Sequence, residues 1–297
     1  MQVLSTKEGI RIDKYLMDEL ELSRSKIQKM FDKDSILVNN KKVKPSYKVK
    51  LDDIIDYVLI EEKCDILPNS IPLDIVYEDD YVIVVNKDNG MVVHPGCGNY
   101  ENTLVNALMY HFENLSKING ENRPGIIHRI DAYTTGLLMV AKDDKTHTFL
   151  QEQLKNKTSH RIYWALVWGN IKNDTGTIDA PIGRDKKDRK KMAVIDGGKE
   201  AITHFKVIER FNNATLVELK LETGRTHQIR VHMDYINHPV VNDSVYGRRK
   251  LIDDTGQMLH AKELGFIHPK TKNMMYFKSD LPYCFTNILD KFKKGEL

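Results

Sequence analysis

The chain has 297 residues, with 45 Lys and Arg against 42 Asp and Glu, 41% hydrophobic residues and three cysteines. That length suggests about two domains with ample core, and the apolar content excludes a disordered chain. Cys64, Cys97 and Cys284 form no CxxC pair and exclude a disulfide framework, while runs such as VIVV and LLMVA are too short to span a bilayer. The opening MQVLSTKEGIRID lacks the apolar stretch of a signal peptide, so a cytoplasmic, membrane-free protein is expected.

The net charge of +3 hides a local asymmetry. From residue 24 to 50 there are nine basic side chains (Arg24, Lys26, Lys29, Lys33, Lys41, Lys42, Lys44, Lys48, Lys50) against Asp32 and Asp34, a local charge of +7. Six acids and one lysine follow in residues 51–65. Concentrated positive charge is the footprint of phosphate binding. In the same region Ile12, Tyr15, Leu16 and Leu20 recur at helical spacing. Ser23 is a candidate N-cap for a second helix that buries Ile27, Met30 and Phe31 and turns its basic residues outward. ILVNN at 36–40 reads as a strand entering a turn, residues 41–50 as a basic loop, and IIDYVLI at 54–60 as a closing strand. This segment resembles an S4 domain, a small RNA-binding module, through its R-x-D-K-x-L start, S-R-S, V-N and K-P-S. It departs where that family has glycine, at Asp34–Ser35 and at Asn40, and Asn accepts left-handed backbone readily. The expected organisation is an RNA-binding domain over 1–66, a linker over 67–74 and a catalytic domain over 75–297.

Beyond the linker, IVYEDDYVIVVNK contains two strand-like runs, and residues 103–111 form an amphipathic helix. LLMVAK is a buried strand, and residues 145–155 a helix. RIYWALVW (161–168) and TLVELKLE (215–222) alternate with period two. Period-two strands separated by ordinary helices predict an α+β fold on a mixed, largely antiparallel sheet. RDKKDRKK at 184–191 is a second basic cluster, with six basic residues and two acids. Neither GxGxxG nor GxxxxGK[ST] occurs, so no nucleotide cofactor is expected.

Three segments carry candidate chemistry. In GIIHRIDAYTTGLLMVAK the carboxylate of Asp131 follows Arg129 and precedes a Thr-Thr-Gly turn; read alone, it caps that turn through Tyr133 or Thr134. In TGRTHQIRVHM a glycine turn leads into a helix opened by Thr226, with Arg225, His227, Arg230 and His232 making it cationic. An arginine there can pair bidentately with a carboxylate, or the helix can be a plain surface element. His227 and His232, five residues apart, face different sides and make a poor metal pair. Tyr163, at the head of the RIYWALVWG strand, reads alone as a core aromatic.

Taken in order, HRIDAYTTGLLMVAK, RIYWALVWG and TGRTHQIRVH resemble the hallmark segments of the RluA-type family of pseudouridine synthases. NKDNGMVVHPGCGNYENTLVNAL, PIGRDKKDRKKMAV, GKEAITHF and LHAKELGFIHP resemble its S4-containing subgroup. The family motif has Ser where Thr135 stands and Leu where Ile130 stands, and a His-Pro after Arg184 is missing. The resemblance implies isomerisation of uridine in RNA to pseudouridine, with neither cofactor nor metal. It implies Asp131 as the nucleophile or electrostatic partner, Arg230 holding it ionised and aimed, and Tyr163 stacking on the flipped uracil and taking part in proton removal. Ile229 would pack on the base and Arg129 fill the gap left in the stack, with His128, Thr135, Arg225 and His227 also binding substrate. Arg24, Lys26, Lys29, Lys41, Lys42, Lys44, Arg184, Arg189 and Lys191 would grip the backbone of a structured stem-loop, most readily in large-subunit rRNA. A monomer is expected. The rival readings are a tRNA-directed synthase, a non-catalytic RNA-binding assembly factor, and a sugar hydrolase using Asp143 and Asp144, which otherwise cap the next helix.

Overall fold

The computed structural model describes residues 1–20, 22, 24–59, 66–96, 100–120, 123–188 and 191–297, apart from the side chains of Ser25 and Lys26. Ser23, Cys64, Cys97, Arg189, Lys190 and the Lys26 side chain, all named above, lie outside the described residues. The chain divides into two compact units, Met1–Asp65 and Ile66–Leu297.

In the first unit, strand β1 (Gln2–Leu4) is followed by helices α1 (Ile12–Glu19) and α2 (Arg24–Asp32), then strands β2 (Ile36–Val38), β3 (Lys41–Lys42) and β4 (Ile54–Tyr57). The sheet order is β1-β4-β2-β3. The helical spacing read from the sequence buries Ile12, Tyr15 and Leu16 of α1 and Ile27 and Met30 of α2 against Ile36, Val38 and Ile55. Arg24, Lys29, Lys33, Lys41, Lys42, Lys44, Lys48 and Lys50 all face solvent. Two details differ from the sequence reading. Lys41 and Lys42, expected in a loop, form β3, because Asn39 and Asn40 both adopt left-handed backbone (φ 48 and 61°) and turn the chain back onto β2. β1 was not legible, since three residues have no periodicity and the strand exists only through its pairing with β4. Asp34, where the family has glycine, is also left-handed (φ 54°), and its carboxylate pairs with Lys42.

The second unit contains β5 (Asp74–Glu78), β6 (Val82–Lys87), α3 (Leu104–His111), β7 (Thr135–Ala141), α4 (Asp144–Lys155), β8 (His160–Trp168), β9 (Thr175–Asp179), β10 (Ile182–Arg184), β11 (Met192–Val194), β12 (Ile202–Arg210), β13 (Ala214–Leu221), α5 (Gln228–Tyr235), β14 (Leu259–Ile267), β15 (Met274–Lys278) and α6 (Tyr283–Lys293). Nine of these strands form one sheet in the order β5-β6-β7-β14-β8-β13-β12-β9, with β15 added beside β14. Among the described strands only β7 and β14 pair in parallel; every other pairing is antiparallel. The expected α+β class with a mixed, largely antiparallel sheet is therefore what the chain builds.

β7 is buried at all seven positions because both of its faces are covered. Leu138 and Val140 join the core beneath α3 and α5, while Leu137 and Met139 join that beneath α4. Its register against β14 depends on Gly136, whose φ is +107° and where a side chain would overlap the Ala261 backbone. Asp131 thus lies just before the start of a central strand of the sheet. The helices start where their caps predict: Thr103 forms a capping box with Asn106 on α3, and Asp143 accepts from the Thr146 N–H on α4 at 2.9 Å. Asp144 accepts from Ser116 Oγ and the Lys117 N–H. Both carboxylates of the hydrolase reading are thus engaged in local structure. The segment read as a linker lies along α3, where Asn106 Nδ2 donates to the Leu67 carbonyl at 2.8 Å and the Asn69 N–H to the Asn106 carbonyl at 3.0 Å. Cys284 is a free, half-buried thiol on α6. Among the described residues no helix is long and apolar enough to cross a membrane.

Candidate active site

Asp131 ends the loop that leads into β7. The turn there is closed by its backbone, the Thr134 N–H donating to the Asp131 carbonyl at 3.0 Å. This leaves the carboxylate free of the capping role read for it in isolation, and it reaches α5 instead. Arg230 Nη1 donates to Asp131 Oδ2 at 2.9 Å. The same guanidinium forks onto a second carboxylate, Asp243, through Nε at 2.6 Å and Nη2 at 2.8 Å. The Asp243 side chain is fully buried, and its Oδ1 also accepts from the Val245 and Tyr246 N–H groups. Burial works against the charge on Arg230, but Asp243 and then Asp131 outweigh it and hold the guanidinium above its ordinary value. Burial likewise works against the Asp243 charge, and Arg230 with the two backbone donors reverses it, so the carboxyl sits below its ordinary range. Arg230 further stacks over the Tyr246 ring, 5.0 Å from its centre.

The helix carrying Arg230 begins one residue later than the sequence suggested. His227, not Thr226, is the N-cap, in left-handed backbone with φ 56°, a conformation that costs about 1–3 kcal/mol and is retained where the surroundings dictate it. Here Gln228 does so: its side chain accepts from Thr223 Oγ1 and the Arg225 N–H, and donates to the Ile202 carbonyl and Thr203 Oγ1. The result places His227 Nε2 3.8 Å from Asp131 Oδ1. On its other side His227 Nδ1 lies 2.8 Å from the Tyr246 hydroxyl, which already accepts from the Met192 N–H. Having no other acceptor among the described residues, the Tyr246 hydroxyl donates to Nδ1, and Nε2 faces Asp131 beyond direct hydrogen-bond distance. Burial lowers the pKa of His227, with Asp131 opposing, and raises that of Tyr246, which keeps its proton.

Of these groups Asp131, His227, Gln228 and Arg230 line a cavity of about 410 Å³, together with Arg129, Arg161, Tyr163, Arg225 and Ile229, whereas Asp243 and Tyr246 are not part of its lining. Tyr163 and Ile229 are 6% and 4% exposed, and burial keeps the Tyr163 phenol protonated by raising its pKa. Arg129 is exposed at the rim, with Nη1 3.3 Å from His94 Nε2. His128 lines the cavity too, but its Nε2 accepts from the Met139 N–H at 3.2 Å; burial pushes its pKa down to about 3. Arg225 is exposed, its Nε donating to the Glu200 carbonyl. Thr135 is not brought to the cavity: its hydroxyl bonds His260 Nδ1 at 2.8 Å, and the neighbouring Thr134 takes its place on the lining. His232 is fully buried, bonded to Thr203 and the Ala180 carbonyl, far from any pairing with His227. Arg184 ends β10 and Lys191 immediately precedes β11. Among the described residues no cluster of three or more His, Cys, Asp or Glu is arranged to hold a metal.

Three participants escape the sequence reading. Asp243 and Tyr246 sit in an ordinary-looking turn, VVNDSVYG, whose spacing from Arg230 carries no periodic signal. Lys87 ends the apolar strand β6 and would be placed in solvent by its type. It is instead 1% exposed, and its Nζ donates to the carbonyls of Asp88 (2.7 Å), Met91 (2.9 Å) and Ala132 (2.7 Å). That ties the turn after β6 to the residue next to Asp131, and burial, opposed by Asp131, brings Lys87 down to about 7.

A carboxylate held by a doubly paired guanidinium thus lies beside a buried tyrosine in one cavity. Residues 81–235 match the family model of RNA pseudouridylate synthases and residues 10–55 that of the S4 domain. The chain belongs to the RNA pseudouridine synthase family. It is 52% identical to an uncharacterized RNA pseudouridine synthase of Bacillus subtilis, over 96% of this chain and 95% of that protein. It is 43% identical to the ribosomal large subunit pseudouridine synthase D of Zymomonas mobilis, over 95% and 94% of the two chains. Among solved structures, human RNA pseudouridylate synthase domain containing 1 is similar with a TM-score of 0.59 and 28% identity, covering 71% of this chain and 84% of that one.

Proposed function

We propose that this RNA pseudouridine synthase acts on uridines of large-subunit ribosomal RNA, as a monomer in the cytoplasm. The observation that carries the catalytic part is the bridge of Arg230 between Asp131 and the buried Asp243, which leaves Asp131 Oδ1 turned to the cavity. The Zymomonas relative's name, at 43% identity over nearly the whole chain, supports the ribosomal substrate. Asp131 attacks or electrostatically balances the ribose C1′ as the N1–C1′ bond breaks. Arg230 aims it, and His227 Nε2 stands 3.8 Å from its second oxygen. Tyr163 stacks on the flipped uracil and relays the proton lost from C5, while Ile229 closes the opposite face. Flipping costs a few kcal/mol of unstacking, and Arg129 at the rim fills the vacated position. His128 and Arg225 shape the wall around the base, and Thr135 acts one layer back, through His260.

The test is tritium release from RNA labelled at uridine C5, since C5 loses its hydrogen when it bonds to C1′. Large-subunit RNA from a strain lacking the gene should release tritium and transfer RNA from the same strain should not. The reverse moves the substrate to tRNA, and release from neither overturns the activity.

In this reading the 1–66 domain, joined through 67–74, grips phosphates away from the reacting uridine. Arg24, Lys26, Lys29, Lys41, Lys42 and Lys44 do this there, and Arg184, Arg189 and Lys191 on the catalytic domain. Removing residues 1–65 should raise the Kd for RNA by about tenfold or more at physiological salt and make its salt dependence shallower. Turnover at saturating RNA should change little. Filter binding across a salt series checks this, and an unchanged Kd removes the role assigned to the +7 segment.

A further inference from the structure

One buried cation lining the cavity has no use in the scheme above. Arg161, the second residue of β8, is 7% exposed, about as buried as Arg230 at 5%. Arg230 holds three hydrogen bonds to two carboxylates. Arg161 holds none: its buried Nε has no partner, and no ion pair to it occurs among the described residues. Burial accordingly pulls its pKa below the ordinary guanidinium value, with only Tyr163 acting the other way.

A buried charge without a counter-charge costs several kcal/mol, so folding alone does not account for this side chain. Its placement says what it serves. Arg161 and Tyr163 are two positions apart on β8 and project from the same face into the cavity. A Cβ on Gly224 would lie 3.1 Å from Arg161 Nη1, so the guanidinium rests against the loop that leads to His227, Ile229 and Arg230. A phosphate stays at the solvent-facing rim, where Arg129 stands. The depth of Arg161 suits the base.

We propose that Arg161 is a further catalytic residue, donating to a carbonyl oxygen of the detached uracil and stabilising its negative charge. This rests on the reading of the site given above. When the N1–C1′ bond breaks, its electron pair stays with the base, and the charge spreads over N1, O2 and O4. Asp131 balances the electron-poor C1′. The C5–C1′ bond then forms with the base's electrons and frees the Asp131 carboxylate. C5 loses its proton and N1 gains one, restoring a neutral isomer. A preorganised donor unpaired in the free enzyme incurs no reorganisation when that charge appears.

The test compares wild type, Arg161→Met and Arg161→Lys by tritium release at saturating RNA, with RNA affinity and Tm measured on each. Arg161→Met should lower kcat by about 10²–10³-fold, leave Kd within about threefold, and leave Tm unchanged or raised because an uncompensated buried charge is removed. Arg161→Lys should recover part of kcat. In RNA carrying 5-fluorouridine at the target, whose fluorine itself stabilises the uracil anion, the gap in single-turnover base detachment should narrow. Retained kcat with a weakened Kd makes Arg161 a phosphate contact and overturns the proposal. A lowered Tm with normal kcat below it makes the residue structural and does the same. A wild type that releases no tritium overturns the substrate reading and this assignment together, whereas an active wild type equalled by Arg161→Met overturns the assignment alone.

Discussion

Asp131→Asn is expected to lower pseudouridine formation by about 10³-fold or more while RNA binding and folding persist. The asparagine has the shape of the carboxyl group, and its carbonyl oxygen can still accept from Arg230 Nη1. Arg230 in turn keeps both hydrogen bonds to Asp243, so the buried pair that organises α5 is not broken. What disappears is the anionic oxygen facing the cavity, and an amide can neither attack C1′ nor balance its charge. Tritium release under single-turnover conditions, beside filter binding of the same RNA, separates the two effects. A purified variant whose mass excludes deamidation and whose rate matches wild type would remove Asp131 from the chemistry.

Arg230→Met should affect stability as well as rate. It strips a fully buried carboxylate of the only cationic partner it has among the described residues, leaving Asp243 with two backbone donors. Breaking a buried pair from one side costs about 3–5 kcal/mol. The chain's two tryptophans, Trp164 and Trp168, both lie on β8, so urea unfolding followed by their fluorescence reports on the catalytic unit. The sign of the pH dependence separates this from a generic packing loss. In wild type Asp243 sits below its ordinary value of 3.8, so its contribution is present above pH 3.8 and is lost as pH falls through the folded-state value. Without Arg230, burial dominates and the folded value rises above 3.8. That contribution is then greatest below 3.8 and is lost as pH rises through the folded value. The stability gap between Arg230→Met and wild type should therefore be largest near pH 7 and shrink toward pH 4. A gap independent of pH would mean that Asp243 is not the source of the loss. Adding Asp243→Leu to Arg230→Met should recover stability at pH 7 without recovering activity.

Much of the architecture was legible because it follows from short-range regularities. Period-two runs specified β8 and β13, helical spacing specified α1 and α4, and Thr103 and Asp143 cap helices as their residue types predict. The basic asymmetry of residues 24–50 was equally plain, since charge is read one residue at a time. Asp131, Tyr163, His227, Ile229 and Arg230 were picked out as ordered motifs, and the fold gathers them around one cavity.

Partnerships between distant residues were not legible, and the site depends on them. Nothing in the composition of a turn 13 residues beyond Arg230 tells that Asp243 is the carboxylate it forks onto, or that the Tyr246 hydroxyl donates to His227. Thr135 looked like a cavity residue and faces His260, because β7 and β14 run parallel there. Lys87 and Arg161 show the same limit from opposite sides. Both are cations at the ends of strands, and residue type alone puts both in water. Tertiary structure buries both, giving one three carbonyls and the other an open cavity and no partner. The sequence by itself determined which segments become strands and helices, because periodicity is local, and its ordered motifs, through the family they resemble, pointed to the candidate residues. Which charges end up compensated, and which is left waiting for substrate, only the tertiary structure decided, because burial and pairing are properties of the space between segments.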